Sequence, residues 1–186
     1  MKQTIIAVIC FLCVSSLYIQ AQKINHPSLL YTPQRIQQVK QRMQHEPKLQ
    51  EAWGDIKRTA DEALQKKDFN RLDYLSLAYL MTDNKEYADV IKEILLKTVE
   101  AESWGDVEMM ARIPAWRSQL GMAHKSFLSA VGYDAAYNVM SSSERKKIAE
   151  GLKRLAVEPA LGDWLLEPTR IHSLNSMGHN WWTSCV

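Results

Sequence analysis

Apolar residues in this chain recur three and four positions apart, the spacing of helix faces. Ile36, Val39 and Met43 follow Thr32-Pro33, an N-cap and a proline at the first helical position. Pro47 opens a second helix, with Leu49, Trp53, Ile56, Ala60 and Leu64 on one stripe. The stretch "NRLDYLSLAYLM" is apolar nearly all round, which predicts a helix buried on more than one side. Asp83 and Glu86 form a capping-box pattern just before Tyr87, Val90, Ile91, Ile94 and Leu95. A less regular stretch, "ESWGDVEMMARIP", interrupts. Pro114 is then expected to start a long helix through Trp116, Leu120, Phe127, Leu128 and Val131 to about Met140. Ser141 and Glu144 repeat the capping-box pattern, and Ile148, Leu152 and Leu155 carry the helix after it.

No alternating run bounded by hairpin turns occurs, so no strand is predicted. About six helices joined by short turns pair as antiparallel hairpins, which can close into a toroid, stack into a solenoid or make a bundle. No strict period of residue identity is visible, which argues against a regular solenoid. A doubly buried helix between amphipathic ones suits a two-layer ring. The expected fold is therefore all-α, with helical hairpins forming an incomplete (α/α) toroid.

Composition narrows the classes. With 186 residues and 46% apolar composition the chain can build one core, and 24% charged residues argue against disorder. The formal net charge is +2. A near-neutral chain has no electrostatic footprint for nucleic acid or an anionic membrane. The seven glycines are scattered and make no phosphate loop.

The N-terminus, "MKQTIIAVICFLCVSSLYIQAQ", has a positive start at Lys2, an uncharged, mostly apolar middle and a small residue at Ala21. This reads as a signal peptide over residues 1–21, cleaved near Ala21, with export to a periplasm or secretion and no stable membrane association. Cys10 and Cys13 lie within it and do not make a lipoprotein site. Cys185 alone remains after cleavage, so no internal disulfide is expected.

After Leu161 the chain turns polar and irregular, ending in "NSMGHNWWTSCV". Adjacent residues diverge by about 100° on a helix and oppose each other on a strand. If one of Trp181 and Trp182 fills the core, the other is left for a cleft. Asn175, His179 and Asn180 add amides and an imidazole to that flat platform, a combination that suits a sugar. The competing reading buries both tryptophans and uses the asparagines as helix caps.

This terminal cluster resembles the Asn/His–Asn–Trp motif at the start of an inner toroid helix in heparinase II/III-like polysaccharide lyases. Upstream, "LLYTPQRIQQVKQRM" resembles the family's opening helix. "LAYLMTDNKEYADVIKEIL" resembles its second hairpin, and "AVGYDAAYNVMSSSERKKIAEGL" its Tyr-Asp helix and the serine-capped helix that follows. The likeness implies β-elimination on an acidic, uronic-acid-containing polysaccharide, without a cofactor. It gives His179 and Asn180 the part of neutralising the uronate carboxylate, with Asn175 behind them, while Trp181 and Trp182 line the groove. Arg170 and Glu167 are candidate substrate contacts, more simply read as solvated loop charges. Tyr133 is read as packing. The family's downstream tyrosine and its following β-sandwich have no counterpart. Residues 22–186 therefore read as the N-terminal portion of a toroid lyase domain, truncated and inactive alone. The near-neutral charge points away from a heavily sulfated substrate; oligomeric state has no signature.

Other chemistries find less support. His172 and His179 come with no third ligand, so no metal site is read. Cys185 with His179 lacks the surroundings of a nucleophilic dyad. His26, His45 and His124 read as surface or packing residues. A glycoside hydrolase with an (α/α)6 toroid is the enzymatic alternative, and Asp163 with Glu167 would be its carboxylate pair. A non-catalytic exported carbohydrate-binding helical protein is the alternative from another class.

Overall fold

The computed structural model of the protein describes residues 24–166, Pro114 excepted. These residues are all-α, and there is no strand among them. Six helices of eleven residues or more are present: α1 Pro33–Met43, α2 Pro47–Lys66, α3 Leu72–Thr82, α4 Lys85–Thr98, α6 Leu120–Ala136 and α7 Ser142–Leu152. Two four-residue helices, α5 (Val107–Met110) and α8 (Glu158–Leu161), lie between and after them. The signal peptide expected at 1–21 lies outside the described residues. No described helix is long and apolar enough to cross a membrane.

Local chemistry sets most boundaries. The Thr32 hydroxyl accepts from Arg35 N, and Pro33 follows at a position whose N–H would have no helical partner. The Ser141–Glu144 capping box forms in both directions: Ser141 Oγ accepts from Glu144 N at 3.2 Å, and Glu144 accepts from Ser141 N at 2.7 Å. The pattern at Asp83 differs from expectation. Asp83 closes α3 in the left-handed conformation, φ 58°, donating its N–H to Tyr79 O. Asn84 is the N-cap of α4, accepting from Glu86 N. Asp and Asn tolerate both roles, and a two-residue turn needs one of each.

The apolar helix is the centre of the fold. In α3, Leu72, Leu75, Ser76, Ala78 and Met81 are buried, and the helix packs against α2, α4 and α6. Helix α6 is nearly as apolar, with Met122, Leu128, Val131 and Ala135 buried against α3 and α4. A side chain at Gly132 would come within 3.3 Å of both Ile91 and Leu72, so the glycine lets α6 approach closely. Amphipathic α4 sends Tyr87, Ile91, Ile94 and Leu95 into the same core, and α7 adds Ile148. Tyr87 also donates its hydroxyl to Asp61, tying α4 to α2.

The long connection 99–119 is held by polar hooks. Arg154 donates to the carbonyls of Val99, Ala101 and Glu102 at 2.9–3.1 Å. Helix α6 begins at Leu120, six residues later than Pro114 had suggested. The amides of Arg117 and Ser118 are taken by the Asp163 carboxylate, so that stretch is not free to wind. Beyond α7 the helix does not stop at Leu161. A π turn (Lys153–Val157) leads to α8, and a second π turn (Gly162–Leu166) continues it. Pro159 has no N–H to give the ladder, and the wider turn before it accommodates that loss. The reading of 162–166 as irregular is thus corrected to helix.

Candidate functional site

All six residues expected at the site, Arg170, Asn175, His179, Asn180, Trp181 and Trp182, lie outside the described residues, as do Glu167, His172 and Cys185.

Asp163, in the last described helical run, is fully buried. Its carboxylate accepts from Arg117 N at 2.8 Å, Arg117 Nε at 2.9 Å, Ser118 N at 2.7 Å and Ser118 Oγ at 2.9 Å. A buried carboxylate surrounded by donors is a clamp, since moving the segment that carries them away would strand a charge. This corrects the pairing of Asp163 with Glu167 as hydrolytic carboxylates: Asp163 is committed to holding loop 115–118.

A second buried carboxylate was legible only as a residue out of place. Asp134 sits within the apolar α6 and accepts from Ser28 N at 3.0 and 2.9 Å and from Leu29 N at 2.8 Å. His26 Nδ1 lies 2.6 Å from Asp134 Oδ1; a carboxylate can only accept, so that nitrogen carries the proton. The imidazole stacks on Tyr137 at 3.8 Å between ring centroids, and Arg145 covers the Tyr137 ring at 4.3 Å. His26, read as surface or packing, is the pin of an N-terminal strap. A lone acid in "SAVGYDAAYNVM" was the signal for it, because a buried charge requires partners.

Two concavities open on the surface of the described residues. A groove of about 520 Å³ is lined by Leu29 and Leu30 of the strap, Phe127, Ala130 and Val131 of α6, and Leu152, Ala156 and Val157. A basin of about 800 Å³ lies at the C-terminal ends of α2 and α4, with Lys66, Lys67, Lys97 and Lys125 around it and Trp104 below. Lys67 is paired with Glu93 at 2.6 Å. Lys66 and Lys97 stand in the last turns of their helices, where a cation complements the helix dipole.

Four tyrosines are pushed away from service as bases. Burial, as the leading cause, pushes the phenols of Tyr79, Tyr87 and Tyr133 up, and that of Tyr31 up to about 12. Asp73 and Tyr74 reinforce the rise at Tyr31. Tyr133 packs edge-on against Tyr137, in keeping with its reading as a packing residue. No group of three or more His, Cys, Asp or Glu side chains among the described residues is placed to hold a metal. No protein-family model matches the chain, and no curated protein matches its sequence.

Proposed function

We propose that the chain forms part of the helical toroid of a polysaccharide lyase, which cleaves an uronic-acid-containing polysaccharide by β-elimination in the periplasm or outside the cell. The observation that carries this reading is the packing of α3 on α6. Two apolar helices lie together, α3 between α2 and α4 and α6 between α4 and α7. That alternation of inner and outer helices is what a two-layer ring requires. The terminal cluster supplies the chemistry.

In the reaction, a neutralised uronate carboxylate acidifies the C5 proton. A base takes that proton, its electron pair forms the C4–C5 double bond, and the C4–O4 bond breaks. The leaving oxygen receives a proton from an acid. His179 or Asn180, with Asn175, serves as the positioned donor at the carboxylate, the kind of group that supplies the largest share of stabilisation. Trp181 and Trp182 give the ring a stacking surface. Tyr31, Tyr79, Tyr87 and Tyr133 are not assigned as acid or base, because burial pushes their phenols away from that task.

The test is the ultraviolet absorbance of the new double bond when the natural protein containing these residues meets unsulfated uronic-acid polysaccharides. Replacing the neutralising residue by Ala should lower turnover by about 10²-fold or more with the fold intact. New reducing ends without that absorbance would mark a hydrolase instead. Binding with neither would mark a non-catalytic carbohydrate-binding protein.

A further inference from the structure

The basin at the C-terminal ends of α2 and α4 holds more positive charge than the described residues neutralise. Lysines reach it from three helices: Lys66 and Lys67 from the end of α2, Lys97 from α4 and Lys125 from α6. Two carboxylates line it as well, and both are already engaged. Glu93 accepts from Lys67 through both oxygens, at 2.6 and 2.7 Å. Glu100 accepts from Lys147, outside the basin, at 2.8 Å. Among the described residues no carboxylate pairs with Lys66, Lys97 or Lys125. The C-terminal ends of α2 and α4 carry about half a negative charge each, which offsets about one of these three cations. The excess faces a cavity of about 800 Å³, within the size range of ligand pockets. The Lys67–Glu93 pair is itself held at a cost. Lys67 closes α2 in the left-handed conformation, φ 51°, which glycine adopts without strain. The lysine there takes Glu93 out of the basin's charge balance.

The rest of the lining says what kind of anion fits. Among the described residues no arginine and no first turn of an α-helix borders the basin. It therefore lacks the forked donors and the backbone N–H groups that gather a compact phosphate. Its cations are single ammonium groups on separate elements, suited to carboxylates spaced along a chain. The helix ends that it does border present carbonyl acceptors, which hydroxyl donors can use. Thr98 and Ser103 add hydroxyls, and half-buried Phe69 with buried Ile94 and Trp104 makes an apolar floor. Spaced carboxylates, many hydroxyls and apolar ring faces occur together on an acidic sugar chain. We propose that this basin binds a carboxylate-bearing oligosaccharide, with Lys66, Lys97 and Lys125 donating to its carboxylates. The site is argued from the basin alone; it shares a ligand class with the lyase reading and requires no cleavage.

The test is titration calorimetry of the full chain with a short unsulfated polyuronate, and with the same oligosaccharide after its carboxyls are reduced to alcohols. Wild type should bind the acid and not the reduced form, with affinity falling as salt is raised. Lys66→Gln, Lys97→Gln and Lys125→Gln should each weaken binding by about two- to fivefold, and the three together by about tenfold or more. Lys48→Gln, at the other end of α2, should leave it unchanged. No binding, equal binding of the reduced form, equal loss in Lys48→Gln or a combined loss below about threefold overturns the proposal. So does tighter binding of pyrophosphate, which would mark a phosphate site. A lysine footprint locates the contact without any variant. Acetylation of Lys66, Lys97 and Lys125 should slow under the oligosaccharide while that of Lys48 does not, and uniform rates overturn the site. Binding with this footprint but without unsaturated product leaves the basin in place and removes the lyase, and product without the footprint does the reverse.

Discussion

Replacing Asp163 by Ala should strongly destabilise the protein. The substitution removes the acceptor for two backbone amides and one hydroxyl at 2.7–2.9 Å, and for the Arg117 guanidinium. Arg117 is 35% exposed and can turn to water. The Ser118 amide and hydroxyl cannot, because Ser118 is fully buried. Each stranded buried donor costs about 1–3 kcal/mol, and breaking a buried charge cluster typically costs about 3–5 kcal/mol. We expect about 3–5 kcal/mol in urea unfolding of the full chain. The melting temperature should fall by about 6–20 °C, at about 2–4 °C per kcal/mol for a chain of this length. Ser118→Ala, which leaves Asp163 its other donors, should cost only about 1 kcal/mol. A loss below about 1 kcal/mol for Asp163→Ala would refute the argument. It would mean that water replaces the carboxylate and that the loop is not clamped.

Other outcomes follow from the same geometry. A side chain at Gly151 would lie 2.4 Å from Val99 Cβ; Gly151→Ala should cost about 1–3 kcal/mol, and adding Val99→Ala should recover part of it, whereas strictly additive losses would refute the contact. Asp134→Ala should speed amide exchange at Ser28 and Leu29 by at least about tenfold while amides of α3 keep their protection, since local openings differ in free energy across a structure; unchanged exchange would show that the strap holds without its acceptor. The Glu144 carboxyl is held below the usual glutamate range, first by the Ser141 backbone amide and then by the Ser141 side chain. A depressed folded-state value means that the cap's charge-linked contribution is full above about pH 4.3 and fades as pH falls through the folded value. The stability difference between wild type and Glu144→Gln should therefore shrink in acid, and a difference constant down to pH 2 would refute it.

How much of this was legible depended on the range of the forces involved. The Ser141 box and the Thr32-Pro33 start are decided within four residues, and both appear where the sequence placed them. The buried character of α3 was legible because eleven residues carry hardly any polar face. The Asp83 pattern missed by one residue, because the closing of α3 and the opening of α4 compete for adjacent, chemically similar side chains. Pro114 misled for a different reason. The start of α6 is set by Asp163, which lies 45 residues beyond Ser118 and whose partners no local pattern reveals. Of the candidate site, the described residues bear on Asp163 and Tyr133, which are respectively a clamp and a packing residue. The cluster from Asn175 to Trp182 lies outside them.

The two buried carboxylates share one logic. Helices α3, α4 and α6 hold together through apolar contact, which is non-directional and would tolerate sliding. Asp134 and Asp163 supply direction. Each collects backbone N–H groups from a segment that makes no ladder of its own, the strap at 28–29 and the loop at 117–118. Those segments could otherwise satisfy their amides with water in many positions. Fixing them to a fully desolvated acceptor selects one position, because any other leaves the charge unpaired. Leu29 and Leu30 of the strap line the apolar groove together with Leu152, Ala156 and Val157. The Asp134 clamp thus helps position an apolar surface that its carboxylate does not line. A chain that spends two buried charges on positioning loops gains specificity of shape more than stability.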